Sequence, residues 1–160
     1  MDRIEPTITQ LYSSGFGVLG QTTFTTNVSA TTQSGMHYPA GVFVDSAGNA
    51  WVADNSNSRV IMFSPPFTNG MNASLVLGQT TFTTNVSATT QSGMYIPVGV
   101  SVDSAGNAWV ADEGNNRVIM FAPPFTNGMN AGATSNSEYS SVVYPRKNLF
   151  YNPKAGLVKL

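Results

Sequence analysis

Residues 39–63 read PAGVFVDSAGNAWVADNSNSRVIMF, and residues 97–121 read PVGVSVDSAGNAWVADEGNNRVIMF. Each stretch holds three β-prone runs separated by two polar turns. Gly41-Val-Phe-Val44 is the first run. Asp45-Ser-Ala-Gly-Asn49 follows as a turn, with glycine for positive φ and Asp and Asn for local bonds to the backbone. Ala50-Trp-Val-Ala53 is the second run and Asp54-Asn-Ser-Asn-Ser58 the second turn. Arg59-Val-Ile-Met-Phe63 is almost continuously apolar, as for a strand covered on both faces. Pro65-Pro66 ends it, because proline cannot donate to a ladder. An Asn-Gly turn at Asn69-Gly70 then leads to a fourth run, Ser74-Leu-Val-Leu77. Short strands, short turns and no helical periodicity predict an all-β chain built of four-stranded antiparallel meanders.

The similarity extends well beyond these cores. Residues 18–73 return 58 positions later as residues 76–131, with 48 of the 56 positions identical. A repeat this long means two copies of one supersecondary unit. It divides the chain into an N-terminal segment (1–20), a first unit (21–78), a second unit (79–131) and a divergent tail (132–160). A single meander leaves apolar faces uncovered, and stacking copies face to face buries them, which is the logic of a β-propeller blade.

The pattern Pro39-x-Gly41-Val42-x-Val44-Asp45, continuing through Trp51, Asp54, Arg59, Val60 and Phe63, resembles an NHL repeat. Pro97, Asp103, Trp109, Asp112, Arg117 and Phe121 repeat it. The resemblance implies blades of a β-propeller. The period departs from the roughly 40–45 residues usual for propeller blades. The excess is the threonine-rich insert of each unit, residues 21–35 and 79–93, which reads as an insert strand or a rim loop.

Two blades cannot close a ring, since propellers typically carry about four to eight. Gly17-Val-Leu-Gly20 matches the fourth-strand segment Leu75–Gly78, so the chain opens with an outer strand that has no blade of its own. Copy two stops matching after Ala131, before its fourth strand. Three closures stand open: strand exchange between copies, a trimer then giving six blades; a local fourth strand at residues 140–144; or a partial propeller, excised from a longer one.

Composition narrows the functional classes. Charged residues make up only 9% of the chain and the net charge is −1. A nucleic-acid binder would show a basic stripe, and none is present in the repeats. The basic tail (Arg146, Lys147, Lys154, Lys159 against Glu138) reads as a solvated segment. With no cysteine there is no disulfide or thiolate site, and no apolar run approaches a membrane span. The Thr/Asn-rich, charge-poor surface suggests an extracellular setting, although no signal peptide is visible. Asn27-Val-Ser29, Asn72-Ala-Ser74 and Asn85-Val-Ser87 are glycosylation sequons.

Alternate connections of a meander share one edge, so the turn at residues 54–58 and the inter-unit segment lie on a common rim. Six of the eight differences between the copies fall there, at His37/Tyr95, Tyr38/Ile96, Ala40/Val98, Asn55/Glu113, Ser56/Gly114 and Ser58/Asn116. His37, Tyr38, Asn55, Ser56, Tyr95, Glu113 and Asn116 are therefore the candidate binding rim. Free drift of exposed loops is the competing account of the same differences. Asp54 with Arg59 and Asp112 with Arg117 read as structural ion pairs across the hairpin neck. Asp45 and Asp103 read as turn residues, and Trp51 and Trp109 as packing residues. No catalytic, metal or cofactor residue is assigned, because no P-loop, GxSxG or HExxH is present and His37 is the single histidine. With no catalytic constellation in view, the resemblance to NHL repeats implies a non-enzymatic scaffold for an unknown protein or glycan. A propeller-type metal-dependent lyase or lactonase-like hydrolase, and a purely structural surface repeat, are the alternatives.

Overall fold

The computed structural model describes residues 17–132, 150–152 and 156–158. The first unit is a four-stranded antiparallel meander: β1 (Pro39–Val44), β2 (Ala50–Asp54), β3 (Arg59–Phe63) and β4 (Leu75–Leu77), in that order. The second unit repeats three of these, β5 (Pro97–Val102), β6 (Ala108–Asp112) and β7 (Arg117–Phe121). The segment matching β4 would start at residue 133, outside the described residues, as does the candidate strand at 140–144. In the tail, β8 (Phe150–Asn152) pairs antiparallel with β9 (Gly156–Val158).

The register explains why the apolar residues fall where they do. Phe43, Trp51, Met62 and Leu75 form one cross-strand row, and Ala53, Val60 and Leu77 form another on the same face. That face packs against the second sheet, meeting Val100, Val102, Ala108, Val110, Ile119 and Phe121. The opposite face of the first sheet carries Ala50, Val52, Ile61, Phe63 and Val76 in a second cluster, capped by Leu19 and Met36. β3 is thus buried from both sides, as its unbroken apolar run requires. Trp51, Ile61 and Phe63 are among the largest fully buried side chains. At about 25 cal/mol per Å² of apolar area, Trp51 and Phe121 each contribute to the cluster between the sheets, and Phe63 to the one behind the first.

The two sheets meet most closely at their inner strands. A Cβ on Gly41 would lie 2.7 Å from the Val98 carbonyl oxygen and 2.9 Å from Gly99 Cα. Only glycine permits backbones to approach this far. Two face-packed meanders with their first strands innermost are blades of a propeller.

The threonine-rich inserts are irregular loops rather than strands. Each is pinned by a glutamine clamp. Gln21 Nε2 donates to the Val28 carbonyl at 2.8 Å while Val28 N donates to Gln21 Oε1 at 3.1 Å, and Gln79 treats Val86 the same way. A local side-chain clamp offers the backbone an alternative to strand pairing, which outweighs the β propensity of threonine.

Candidate binding rim

Asp54 ends β2 and organises the rim of the first unit. Its Oδ1 accepts from the His37 backbone N–H at 2.7 Å. Its Oδ2 accepts from Asn57 Nδ2 at 2.8 Å and from Arg59 Nε at 2.7 Å. Arg59 then donates from Nη2 to the carbonyls of Thr32 and Gly35, both at 2.9 Å, and from Nη1 to the carbonyl of Phe82. Asn57 Nδ2 also donates to the Ala30 carbonyl at 2.9 Å. One carboxylate and one guanidinium thereby tie the insert loop, the 3₁₀ turn Asn55–Asn57 and the strand ends together. Both side chains are completely buried.

The second unit repeats the device. Asp112 accepts from Tyr95 N, Asn115 Nδ2 and Arg117 Nε at 2.7, 2.8 and 2.7 Å. Arg117 Nη2 reaches the carbonyls of Thr90 and Gly93. One bond differs: Arg59 Nη1 reaches the following unit's Phe82 carbonyl, and Arg117 Nη1 has no counterpart among the described residues. The Arg117 side chain is accordingly 28% exposed.

The residues that differ between the copies sit on top of these networks. Ser56 N donates to the His37 carbonyl at 3.1 Å, and Gly114 N to the Tyr95 carbonyl at 2.9 Å. The turn and the segment leading into the first strand are therefore neighbours in each unit. Two of the differences are coupled, because a Cβ on Gly114 would fall 2.4 Å from Tyr95 Cδ1. The larger tyrosine demands glycine below it, whereas His37 leaves room for Ser56. His37 instead stacks on Tyr38, with ring centroids 4.9 Å apart. Tyr38 is 74% exposed, is held at φ 50°, and borders a cleft of about 560 Å³ lined also by Asn27, Val28 and Met36. Tyr95 is 43% exposed, and Glu113 and Asn116 are exposed as well. Of the named rim residues, Asn55 reaches across to the other unit, donating from Nδ2 to the Pro97 carbonyl at 3.3 Å. The named rim residues therefore share one edge but form two clusters, one per unit.

The opposite rim is built from the Asp45 and Asp103 turns. Asp45 Oδ1 accepts from Ala47 N and Asn49 N, and Oδ2 from Asn49 Nδ2 and Trp51 Nε1, at 2.8–2.9 Å. Asp103 does the same with Ala105, Asn107 and Trp109. Burial pushes the Asp45 carboxyl up, but the bonds from Trp51, Asn49 and Ala47 together hold it below its ordinary value. The Trp109 indole and Asn107 bring Asp103 down from 3.8 to about 2. The indole bond is an addition to the sequence reading; its signal was an Asp and a Trp six residues apart in both copies. With four donors on each carboxylate, these turns have little capacity left for a cation. Trp51 also meets Phe125 edge-on at 5.1 Å. Among the described residues, no three His, Asp or Glu side chains cluster as a metal site would require.

The family model for the NHL repeat matches residues 36–63 and 94–121. The chain is similar to human NHL repeat-containing protein 3, with 30% identity over 113 residues. That alignment takes in 68% of this chain and 29% of the relative, so the chain spans less than a third of that protein's length.

Proposed function

This chain carries two tandem NHL repeats, and from that premise we propose that it is a non-enzymatic interaction scaffold. Its contact surface is the rim of His37, Tyr38, Asn55, Ser56, Tyr95, Glu113 and Asn116, and its partner is a protein or a glycan. One observation carries the reading. On a scaffold duplicated almost residue for residue, the residues of the Asp–Arg–Asn networks are the same in both copies, while aromatic and polar side chains directly above them differ. The Tyr95/Gly114 pairing argues against free drift, since an independent change at either position would clash or leave a void. Exposed aromatic side chains on a rigid base suit both protein and sugar contact, because a ring contributes large area with few rotamers to order.

The test compares the wild-type chain with a Tyr38→Ala/Tyr95→Ala variant on glycan arrays and in pull-downs from matched extracts. A Ser46→Lys/Ser104→Lys variant on the opposite rim is the control. Ligands lost by the first variant and kept by the second support the rim. Equal retention by all three proteins refutes it. Stoichiometric zinc or calcium in the purified protein by elemental analysis would favour a metal-dependent lyase or hydrolase instead.

A further inference from the structure

The two units have nearly the same sequence but different surroundings, and the difference marks two open faces. On the second sheet, Trp109 is 41% exposed and Val118 is 65% exposed, whereas their equivalents Trp51 and Val60 are 2% and 0% exposed. The outer edge of β7 has no partner strand among the described residues, while β3 pairs with β4. On the back of the first sheet, Val42 and Val44 are exposed. Their equivalents Val100 and Val102 are packed into the junction between the sheets.

These faces are the two halves of one interface that the molecule already makes once. Internally, Trp51, Val60 and Met62 pack on Val100, Val110 and Ile119. The open face of the second sheet presents Trp109, Val118 and Met120; on the back of the first, Val42 is exposed, while the equivalent positions Val52 and Ile61 are already covered by Leu19 and Met36. The residue types match position for position.

Residues 17–20, expected as an outer strand, form only a single parallel bridge between Gly20 and Gly35, yet they complete the correspondence. Gly70 N donates to the Val18 carbonyl at 3.3 Å and Val18 N to Asn69 Oδ1 at 2.9 Å. In the second unit, Gly128 N donates to the Val76 carbonyl at 3.4 Å and Val76 N to Asn127 Oδ1 at 3.0 Å. Residues 17–20 therefore lie on the first unit as β4 lies on the second. They stand where the outer strand of a preceding blade would be, and no blade precedes them among the described residues.

We propose that the open face of the second sheet takes up the first sheet and residues 17–20 of another copy of this chain, head to tail. In the register of β3 with β4 (Val60 with Leu77, Ile61 with Val76), Val118 pairs with Leu19 and Ile119 with Val18 of the incoming copy. Arg117 Nη1 gains the Phe24 carbonyl, as Arg59 has that of Phe82. Two substitutions make this junction weaker than the internal one. Ser101 replaces the interfacial Phe43, and Glu113, whose side chain carries no N–H, cannot make the donation that Asn55 makes to Pro97. Association between copies is therefore reversible. Head-to-tail contacts close into rings when the rotation permits, and two to four copies give the four to eight blades of a propeller. The rim stays open in such a ring, since Tyr95 is exposed at the internal junction. The inference does not depend on what the rim binds.

The test uses the full chain and light scattering over a wide concentration range, with the one-face variants Val42→Asp and Val118→Asp. Wild type is expected as a discrete species of two, three or four copies, with a blue shift of tryptophan emission as Trp109 is covered. Each variant is expected to be monomeric, and an equimolar mixture to form a one-to-one dimer through the remaining intact pair of faces. Val44→Asp and Ser101→Lys, on the same two faces, replace either variant that fails to melt cooperatively. A wild-type monomer at every concentration, as expected if the tail supplies the fourth strand locally, overturns the proposal. So does an associating wild type whose variants stay monomeric when mixed, because that pattern belongs to a two-fold symmetric interface.

Discussion

Removing Asp54 should destabilise the protein far more than removing Asp112, although the two residues sit in nearly identical sequence. Asp54→Ala leaves the Arg59 guanidinium, which is fully buried, without its counter-ion. Breaking a buried pair in this way costs about 3–5 kcal/mol. The His37 N–H and Asn57 Nδ2 lose an acceptor in the same step. Asp112→Ala strands Tyr95 N–H and Asn115 Nδ2 likewise, but the Arg117 side chain is 28% exposed and water replaces part of what is lost. That variant should lose about 1–3 kcal/mol, the usual penalty for unpaired hydrogen-bonding groups. Against a typical total of about 5–15 kcal/mol, the first change threatens folding and the second does not. The assay is urea unfolding followed by tryptophan fluorescence and circular dichroism, with both variants made in the Val42→Asp background so that no second copy covers Arg117. Equal losses at the two sites, or a loss below about 1 kcal/mol for Asp54→Ala, would show that burial of the guanidinium is not what makes the pair matter.

Three further outcomes follow from the same geometry. Gly114→Ser should cost about 1–3 kcal/mol by overpacking against the Tyr95 ring. Adding Tyr95→His should restore most of it, and a double-mutant cycle showing strict additivity would refute the coupling. Gly41→Ala should cost a similar amount, since its methyl would meet the Val98 and Gly99 backbone rather than a movable side chain; an unchanged melting temperature would contradict the close approach of the inner strands. Asp103 sits lower in the folded protein, at about 2, than its ordinary 3.8. Its contribution to stability is therefore present above pH ~4 and is lost as pH falls towards 2. Trp109→Phe should raise the Asp103 titration midpoint in NMR, and an unmoved midpoint would remove the indole bond as the leading cause.

Much of the fold was legible because its signals are local. The DSAGN turns, the β-prone run Gly41–Val44 and the unbroken run Arg59–Phe63 each dictate their own backbone over a few residues, and the 58-residue period joins them into two units. The Asp54–Arg59 and Asp112–Arg117 spacings likewise placed each pair across one hairpin neck. The Trp–Asp bond was less visible, because neither residue type by itself announces that partner. The insert loops were ambiguous for a physical reason: threonine favours strands, and only the folded-back glutamine clamp decides otherwise.

What the sequence could not contain is the difference between its own two copies. Trp51 and Trp109 stand in the same local string, as do Arg59 and Arg117, yet one of each pair is buried and the other meets solvent. Local backbone conformation is determined by neighbours along the chain, so identical strings gave identical strands and turns. Burial and ion-pair strength are determined by neighbours in space, and those depend on which unit has another packed against it.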